Sequence, residues 1–328
     1  TVQSDVMSGL PVQFLKILLY ISSQIQNLKR KMIKPMNNLL NLIGNTPLVQ
    51  SKNLVSNPKV KLLLKLEGNN PGGSVKDRPA LNMLESALKR GEIDRNSKLI
   101  EATSGNTGIA LAMISGLLDL NIELVMPENS TRERVQTMRA YGANVTLTSS
   151  DTGIVGARDY AQQKVDQEGF FMLNQFANAD NWKAHYKTTG PEIWKGTEHK
   201  ITHFVSAMGT SGTIMGVSTY LKEQNEQIQI VGAQPTDNSK IPGIRKWPEA
   251  YLPRIFDPNK VDRILEVSEA EARAMSTRLA KEEGVFAGMS SGGAVATALK
   301  LARELEEGLI VSIICDRGDR YLSSDLFD

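Results

Sequence analysis

One lysine of this chain, Lys76, is placed where its side chain could act as a nucleophile. It lies in the run P-G-G-S-V-K-D-R-P over residues 71–79, after a Gly-Gly turn and just before a predicted helix start. Partial desolvation there lowers the pKa of a lysine and leaves a neutral amine that attacks carbonyl groups. A Walker A loop needs Gly directly before Lys and Ser or Thr directly after it, but Val75 and Asp77 occupy those positions. The spacing therefore favours a Schiff-base lysine over one that grips a nucleotide phosphate.

Four predicted strand-to-helix loops are rich in Gly, Ser, Thr or charged residues, at 103–108, 209–213, 288–293 and 315–320. Backbone N–H groups at a helix start, together with hydroxyls, suit a phosphate or a carboxylate. Each loop alone is weak evidence, and residues 209–216 do not satisfy G-x-G-x-x-G, which disfavours a dinucleotide. With the Gly-flanked lysine they indicate a phosphorylated carbonyl cofactor and a carboxylate-bearing substrate. Pyridoxal phosphate and an amino acid meet both requirements most economically.

Composition argues against several other classes of protein. Lys+Arg 38 against Asp+Glu 36 gives a net charge of +2, which disfavours a nucleic-acid partner. The three histidines stand at no metal-ligand spacing, and no G-x-S-x-G elbow is present, so neither a metal site nor a serine hydrolase is expected. The single cysteine, Cys315, excludes an intramolecular disulfide and fits a reducing cytosol, so we expect a cytoplasmic protein.

The residues after Met36 alternate between strand-like and helix-like patterns, which predicts parallel sheets with ligands at the carboxyl ends of the strands. Predicted strands cover 60–66, 99–100, 122–126, 144–147, 202–206, 228–233 and 309–315. Predicted helices cover 80–90, 108–118, 132–141, 213–223, 269–283 and 292–306, with Gly142 and Gly284 as C-terminal caps. The polar stretch 174–181 is the predicted join between two halves.

The first 35 residues do not follow this alternation. Their apolar patches are interrupted by Gln13, Lys16 and a polar cluster at 22–24, so they are too polar to span a bilayer. They also lack the basic start and small-residue cleavage site of a secretory signal. We interpret residues 1–35 as a non-core extension and expect a chain that begins at Met36 to keep cofactor and activity.

Residues 41–324 resemble the fold-type II pyridoxal-phosphate enzymes, specifically the cysteine synthase family. The segments that carry the resemblance are I-G-N-T-P at 43–47, P-G-G-S-V-K-D-R at 71–78, E-A-T-S-G-N-T-G at 101–108, T-T-G-P-E-I-W at 188–194, the 209–213 loop and S-S-G at 290–292. Within the family, G-I-R-K-W-P at 243–248 and I-C-D-R-G-D-R-Y-L-S at 314–323 are similar to the B-type members.

This resemblance implies a fold and an assembly. The fold would be α/β and like that of the tryptophan synthase β subunit, with two three-layer domains, mostly parallel sheets and the cofactor in the cleft between them. The smaller domain would cover residues 36–178, with about 48–69 crossing to the larger domain at 179–328. The assembly would be a homodimer, without nucleic-acid or membrane partners.

The resemblance also assigns residues to the cofactor. Lys76 would hold pyridoxal 5'-phosphate as a Schiff base and later remove the Cα proton of the substrate. Asn106 would bind the ring hydroxyl and Ser290 the pyridine nitrogen. The cofactor phosphate would lie in the loop formed by Gly209, Thr210, Ser211, Gly212 and Thr213. Lys65 could compete with Lys76 for the cofactor, but it lies in an alternating strand pattern without a glycine turn.

A second set of residues is assigned to the substrate. The substrate carboxylate would be held by the family's carboxylate loop and one glutamine, namely Thr103, Ser104, Gly105, Thr107 and Gln175. Arg245 is the candidate cation for an anionic sulfur donor, with a solvated loop arginine as the alternative. Cys315 and Asp316 stand where B-type members differ, although a buried cysteine also serves packing.

The implied reaction is a β-substitution that makes L-cysteine from O-acetyl-L-serine and sulfide through α-aminoacrylate, with thiosulfate as a further donor giving S-sulfocysteine. Alternatives on the same fold are an O-phosphoserine-dependent cysteine synthase, a serine/threonine dehydratase and a cystathionine β-synthase. The alternative outside enzymes is a degenerate amino-acid-binding regulatory module. The sequence leaves open the preferred donor, O-acetylserine against O-phosphoserine, the oligomeric state and any association with serine acetyltransferase.

Overall fold

Strands and helices alternate along most of the chain. The computed structural model describes residues 38–103 and 105–327; the predicted extension 1–35, Met36 and Ser104 lie outside these ranges. The first elements are β1 (Leu48–Gln50), β2 (Val60–Leu66), α1 (Asp77–Arg90), β3 (Lys98–Ala102), α2 (Asn106–Leu117), β4 (Asn121–Pro127), α3 (Arg132–Ala140), β5 (Asn144–Thr148), α4 (Gly153–Glu168) and β6 (Phe171–Met172). The others are α5 (Ala179–Lys187), α6 (Thr189–Gly196), β7 (His203–Ala207), α7 (Gly212–Gln224), β8 (Gln229–Pro235), β9 (Arg263–Val267), α8 (Glu269–Glu283), α9 (Met289–Ala302) and β10 (Gly308–Ile314).

The described strands form two sheets. The six-stranded sheet has the order β1-β2-β10-β7-β8-β9, and the four-stranded sheet has the order β5-β4-β3-β6. Every pairing is parallel except that of β1 with β2. The predicted fold class, α/β with mostly parallel sheets, is confirmed.

Neighbouring residues on one strand show that each sheet is covered on both faces. In the smaller sheet Leu99 packs with residues of α1 and α2, whereas Ile100 packs with residues of α4. In the larger sheet Ile310 of β10 packs with α8 and α9, and Val311 packs with α6 and α7. Because successive side chains of a strand point to opposite faces, each sheet is the middle of three layers.

Strands β1 and β2 come early in the chain but lie in the larger sheet, where β2 pairs with β10 in register from Val60 to Leu66. The predicted boundary between residues 178 and 179 stays a prediction. No helix in the described part of the chain combines the length and the apolar character needed to cross a bilayer.

One sequence expectation is corrected. Residues 288–293 were expected as a loop, but α9 already begins at Met289, with Gly288 as its N-cap. A Cβ on Gly292 would lie 2.1 Å from the carbonyl oxygen of Ala272, so this glycine serves close helix packing rather than a loop. Helix α5 begins at Ala179, inside the polar stretch 174–181. The predicted join between two halves in this stretch stays a prediction.

The topology brings the predicted loops together. Strands β2, β10 and β7 are neighbours in the larger sheet and run parallel, so their carboxyl ends share one edge. The segment that carries Lys76 follows β2, the segment 315–320 follows β10, and the segment 209–213 follows β7. The loop after β3 of the smaller sheet supplies residues 103–105.

Candidate active site

A cavity of about 560 Å³ lies where these loops meet. Every predicted site residue in the described ranges borders it; Ser104 lies outside those ranges. They are Lys76, Thr103, Gly105, Asn106, Thr107, Gln175, Gly209, Thr210, Ser211, Gly212, Thr213, Arg245 and Ser290. The structure thus brings together residues from both sheets that are far apart in sequence.

Lys76 is the N-cap residue of α1, held there by the chain before it. The Val75 amide donates to the carbonyl of Cys315 at 2.7 Å, and Gly73 has the left-handed φ of +79° that favours glycine. No residue in the described ranges forms a hydrogen bond with Lys76 Nζ. Burial lowers the pKa of Lys76, and the carboxylates of Asp316 and Glu67 oppose that shift only in part. A larger fraction of this amine is therefore neutral than for a lysine in water.

Lys65, the alternative candidate for holding the cofactor, is bound to other residues. Its Nζ lies 2.6 Å from Glu192 Oε2 and donates to the carbonyl of Thr46 at 2.6 Å. It is 1% exposed and does not border the cavity. Its ammonium is bound in an ion pair, so it has no lone pair for attack on a carbonyl.

The 209–213 loop joins β7 to the first turn of α7. Ser211 has a φ of +69°, and a Cβ on Gly209 would lie 2.6 Å from the carbonyl oxygen of Gly243. The close approach at Gly209 brings the backbone near the 243 segment, and the first residues of α7, Gly212 and Thr213, border the cavity. A helix N-terminus with unpaired N–H groups and a positive dipole end attracts an anion such as phosphate.

The loop after β3 presents buried hydroxyls at the start of α2. Thr103 Oγ1 accepts from the amides of Gly105 at 3.2 Å and Gly108 at 3.1 Å, which leaves its own proton available. Thr107 Oγ1 donates to Gln175 Oε1 at 2.8 Å. The side-chain NH₂ of Gln175 can still donate. This donor set suits a carboxylate.

Asn106 is held by a network that sequence reasoning missed. Its Nδ2 donates to Asp316 Oδ2 at 2.7 Å, and its Oδ1 accepts from the guanidinium of Arg320. Arg320 also donates to the carbonyl of Gly72, and Tyr321 donates to Asp316 Oδ2 at 2.7 Å. The side chain of Asn106 is therefore tied to the turn that precedes Lys76. The run at 314–323, which distinguishes B-type members, was the available signal for these partners.

Ser290 is 4% exposed in the first turn of α9 and borders the cavity together with Cys315. Burial, with the nearby Asp316 carboxylate, raises the pKa of Cys315 to about 11. The thiol stays protonated at neutral pH and is a poor nucleophile. Cys315 borders the cavity, so it helps to shape the pocket.

Arg245 lies at the exposed rim of the cavity. Its backbone N–H donates to the carbonyl of Met208 at 2.8 Å, which fixes the segment beside the 209–213 loop. No carboxylate in the described ranges pairs with the Arg245 guanidinium, whereas neighbouring Lys246 is bridged to Asp237 and Glu266. Trp247 was not predicted as a site residue, yet it borders the cavity and donates from Nε1 to the Gly209 carbonyl at 2.8 Å.

Arg134 of α3 is a second cavity residue that sequence reasoning missed. Its guanidinium carbon lies 5.0 Å from the ring centroid of Tyr321, a cation–π contact. The adjacent Glu133 carboxylate accepts from the backbone N–H and hydroxyl of Ser323 at 2.9 and 2.6 Å. Helix α3 is thereby tied to the segment after β10. No sequence pattern connects residues so far apart.

The donors around the cavity fit a phosphorylated carbonyl compound. An amine whose pKa is lowered by burial, an anion-binding helix start and a buried serine line one cavity, and a further loop of hydroxyls suits a carboxylate. Asp316 Oδ1 is buried without a hydrogen-bond partner in the described ranges, which leaves a polar atom of this wall unsatisfied. Together with the three-layer fold, these features define a candidate site for pyridoxal phosphate and an amino acid.

Comparisons with known proteins agree with this class. The family model described as pyridoxal-phosphate dependent enzyme matches residues 39–316. Cysteine synthase B of Pseudomonas aeruginosa is 58% identical over 287 residues, which cover 87% of this chain and 96% of that protein. Cysteine synthase B of Salmonella typhimurium is 53% identical over 292 residues, 89% of this chain and 96% of that protein. The solved cysteine synthase of Entamoeba histolytica matches with a TM-score of 0.85 at 35% identity, covering 90% of this chain and 92% of that one.

The fold and the site define a fold-type II enzyme that depends on pyridoxal phosphate. The chain belongs to the pyridoxal-phosphate dependent enzyme family and, within it, to the cysteine synthases. The resemblance inferred from the sequence motifs is therefore confirmed, as is the predicted cofactor.

Proposed function

We propose that this protein makes L-cysteine from O-acetyl-L-serine and sulfide by β-substitution. The observation that carries the proposal is the placement of the Lys76 amine in one cavity with two separate anion-binding loops. One loop suits the phosphate of the cofactor and the other suits the carboxylate of an amino acid. The curated relatives named cysteine synthase B support the same reaction.

Each part of the cofactor has a candidate partner. Lys76 would hold the aldehyde carbon, residues 209–213 the phosphate, Ser290 the ring nitrogen and Asn106 the ring hydroxyl. When bound, the cofactor withdraws electrons from the substrate's Cα, which acidifies its proton and lets acetate leave from Cβ. The Ser290 hydroxyl cannot stabilise a protonated ring nitrogen as an aspartate would, so it favours prompt loss of the leaving group over transamination.

The remaining residues orient the substrate and move its proton. Thr103, Ser104, Thr107 and Gln175 bind the carboxylate and so fix Cα beside Lys76. The Nζ of Lys76 takes the Cα proton, a role that needs the neutral amine that burial favours. The hydrogen bonds of Asn106 with Asp316 and Arg320 hold the Asn106 side chain in place.

The test of this function is product identity. Purified protein supplied with pyridoxal phosphate, O-acetylserine and sulfide should yield cysteine, and the product is measured by mass spectrometry. Cysteine from O-phosphoserine but not from O-acetylserine would replace the first substrate. Pyruvate from serine without sulfide would establish a dehydratase instead. No product from any of these substrates would favour the binding module.

We propose that Arg245 selects an anionic sulfur donor such as thiosulfate. Its guanidinium lies at the cavity rim without a carboxylate partner in the described ranges, and a guanidinium can bind two oxyanion oxygens at once. Replacing Arg245 with Ala should lower kcat/KM for thiosulfate. The corresponding loss of transition-state stabilisation should be about 2–3 kcal/mol, the contribution of one charge-assisted contact. Sulfide use should change far less, because this small nucleophile needs no such contact.

The neighbouring variant Lys246→Ala is the matched control, because its ammonium is already bound to Asp237 and Glu266. Lys246→Ala should keep kcat/KM for both donors within about a factor of two of the wild-type value, because surface ion pairs contribute little. If Arg245→Ala lowered kcat/KM equally for both donors, Arg245 would be a solvated loop residue and would not select the donor. Loss confined to O-phosphoserine use would identify the first substrate as the anion that it meets.

We also propose a cytoplasmic homodimer. Three apolar side chains near the start of the described chain are 42–48% exposed, namely Leu39, Leu42 and Val49. Such side chains are commonly covered by a partner subunit. Light scattering after size-exclusion chromatography should give twice the chain mass of 36.0 kDa; a monomer would contradict the proposal.

A further inference from the structure

A buried carboxylate at the wall of the cavity has no part in the reaction proposed above. Glu101 of β3 is 2% exposed and borders the cavity. Its Oε2 accepts from the backbone N–H of Asn174 at 3.0 Å, and its Oε1 accepts from the backbone N–H of Gln175 at 3.4 Å. Glu101 therefore connects an inner strand of the smaller sheet to the segment that carries Gln175, a candidate for binding the substrate carboxylate.

The two hydrogen bonds lie where the chain leaves the smaller sheet. Strand β6 ends at Met172, which pairs with Ile100 of β3. Two residues further on, Asn174 has a left-handed φ of +55°, so the chain turns away from β3 at that point. The next residue of β3 after Ile100 is Glu101, and its carboxylate accepts the two N–H groups at the turn. The side chain thus takes over where the pairing of the strands stops.

Gln175 is held at three points, of which Glu101 supplies one. The carbonyl of Gln175 accepts from Asn181 Nδ2 at 2.6 Å, and its side-chain Oε1 accepts from Thr107 Oγ1 at 2.8 Å. The side-chain NH₂ is left to donate to a ligand. A shift of the backbone at Gln175 would move this NH₂ away from the hydroxyls of the loop after β3, and small misplacements of positioning groups lower substrate binding and rate.

A carboxylate in this place is costly to the fold. Burial raises the pKa of Glu101 to about 7, and the backbone N–H groups of Asn174 and Gln175 oppose that shift. No cation in the described ranges forms an ion pair with it, and the other buried residues of β3 are apolar. An apolar side chain of similar size would avoid the desolvation of a charge. Such an exception inside a buried strand is typical of a functional site.

We propose that Glu101 is a positioning residue that, through the backbone N–H groups of Asn174 and Gln175, holds the Gln175 side chain in place to bind the carboxylate of the amino-acid substrate. The inference rests on the assignment of Gln175 to that carboxylate under the proposed function. It does not depend on the leaving group or on the sulfur donor.

The first test measures the binding of L-alanine, which has the amine and carboxylate of the substrate but no group that can leave from Cβ. Absorbance of the bound cofactor follows the titration of the holoenzyme at about pH 8, where most of Glu101 is ionised. Glu101→Gln keeps the size and one acceptor oxygen, but its NH₂ faces the other backbone N–H. The affinity for L-alanine should therefore fall about tenfold.

Two controls separate this effect from damage to the fold. The affinity of Glu101→Gln apoprotein for pyridoxal phosphate, measured by fluorescence titration, should change by less than about threefold. The matched variant Glu123→Gln changes a carboxylate of the same sheet that accepts from Thr146 Oγ1 at 2.7 Å and does not border the cavity. It should bind L-alanine like the wild type. Unchanged L-alanine affinity in Glu101→Gln, or equal losses for cofactor and L-alanine, would overturn the inference.

A double-mutant cycle with Gln175→Ala shows whether Glu101 acts through Gln175. If it does, Glu101→Gln should weaken L-alanine binding by less than about a further twofold in the Gln175→Ala background. Additive losses would assign Glu101 a purely structural role and overturn the inference.

Hydrogen exchange of the unmodified holoenzyme gives a test that no folding defect can obscure. The N–H groups of Asn174 and Gln175 should exchange slowly, and L-alanine should slow their exchange further, because the ligand fixes Gln175. Exchange as fast as that of the exposed residues Asp237 and Asn238 would overturn the inference. None of these measurements requires turnover, so a failure of the proposed reaction would be seen separately, in the product assay.

Discussion

Replacing Lys76 with Ala is expected to lower kcat for cysteine formation by about 10⁴-fold while leaving the fold intact. In the proposed function this side chain holds the cofactor and moves the Cα proton, and loss of a general base alone lowers a rate by about 10²- to 10⁴-fold. The fold should survive because Lys76 Nζ makes no hydrogen bond within the described ranges and its backbone position is set by Val75 and Gly73. Steady-state rates and circular dichroism of the purified variant measure the two effects.

The matched control is Lys89→Ala, which removes an exposed lysine from the same helix, α1. This variant should keep wild-type rates, because surface substitutions away from special features have small effects. If Lys76→Ala retained a rate within about tenfold of the wild type, the catalytic role of Lys76 would be refuted.

Replacing Arg78 with Ala is expected to give the largest loss of stability, about 3–5 kcal/mol in the free energy of unfolding. Its guanidinium bonds the Glu67 carboxylate at 2.7 and 2.8 Å and the Glu192 carboxylate at 2.6 and 2.7 Å. Lys65 completes this cluster by pairing with Glu192. Removing Arg78 leaves Glu67 buried with no cation bonded to it, and an unpaired buried charge is strongly destabilising.

The pH dependence of this loss has a defined sign. Burial alone would raise the pKa of Glu67 and of Glu192, but Arg78 and Lys65 hold both below the ordinary value of 4.5. A depressed pKa contributes stability that is present above that value and is lost as the pH falls through the folded-state pKa. The difference between the wild type and Arg78→Ala should therefore be largest at neutral pH and narrow in acid.

Urea unfolding of the apoprotein measures this difference without a contribution from cofactor binding. The control variant is Arg263→Ala, which removes an ion pair with Glu304 whose side chains are 41% and 50% exposed. That change should cost less than about 1 kcal/mol. A loss in Arg78→Ala no larger than this would show that the buried cluster does not stabilise the fold.

The sequence predicted elements best where local signals were complete. Helix α8 was predicted with both ends correct: Ser268 and Glu271 form a capping box at its start, and Gly284 ends it with a φ of +68°. Helix α1 begins at Asp77, three residues before its predicted start, because proline is tolerated in a first turn and did not mark the helix boundary.

Helix α5 shows why other elements could not be predicted. Its polar residues Asp180, Asn181 and His185 are buried, and their hydrogen bonds go to neighbouring helices and loops instead of to water. Apolar spacing is the main signal for a helix in a sequence, and such a segment does not show it. The buried polar side chains that hid the helix also contact the 209–213 loop, because Asn181 Nδ2 lies 3.3 Å from Thr210 Oγ1.

The site residues likewise fall into those that the sequence could predict and those that it could not. Glycine-flanked Lys76 and the hydroxyl-rich loops carry local signals, because turn chemistry and helix starts are written in adjacent residues. The contact of Asn106 with Arg320 joins residues 214 positions apart, and no local pattern encodes it. Arg320 follows β10 of the larger sheet and Asn106 follows β3 of the smaller sheet, so only the packing of the two sheets brings these partners into reach.

Covalent labelling tests the central claim most directly. Borohydride reduction of the holoenzyme fixes the cofactor to the amine that holds it, and peptide mapping by mass spectrometry then identifies that residue. The label is predicted on Lys76, whose amine borders the cavity and has a pKa lowered by burial. A label on Lys65, or on any lysine outside the cavity, would contradict this account of the active site.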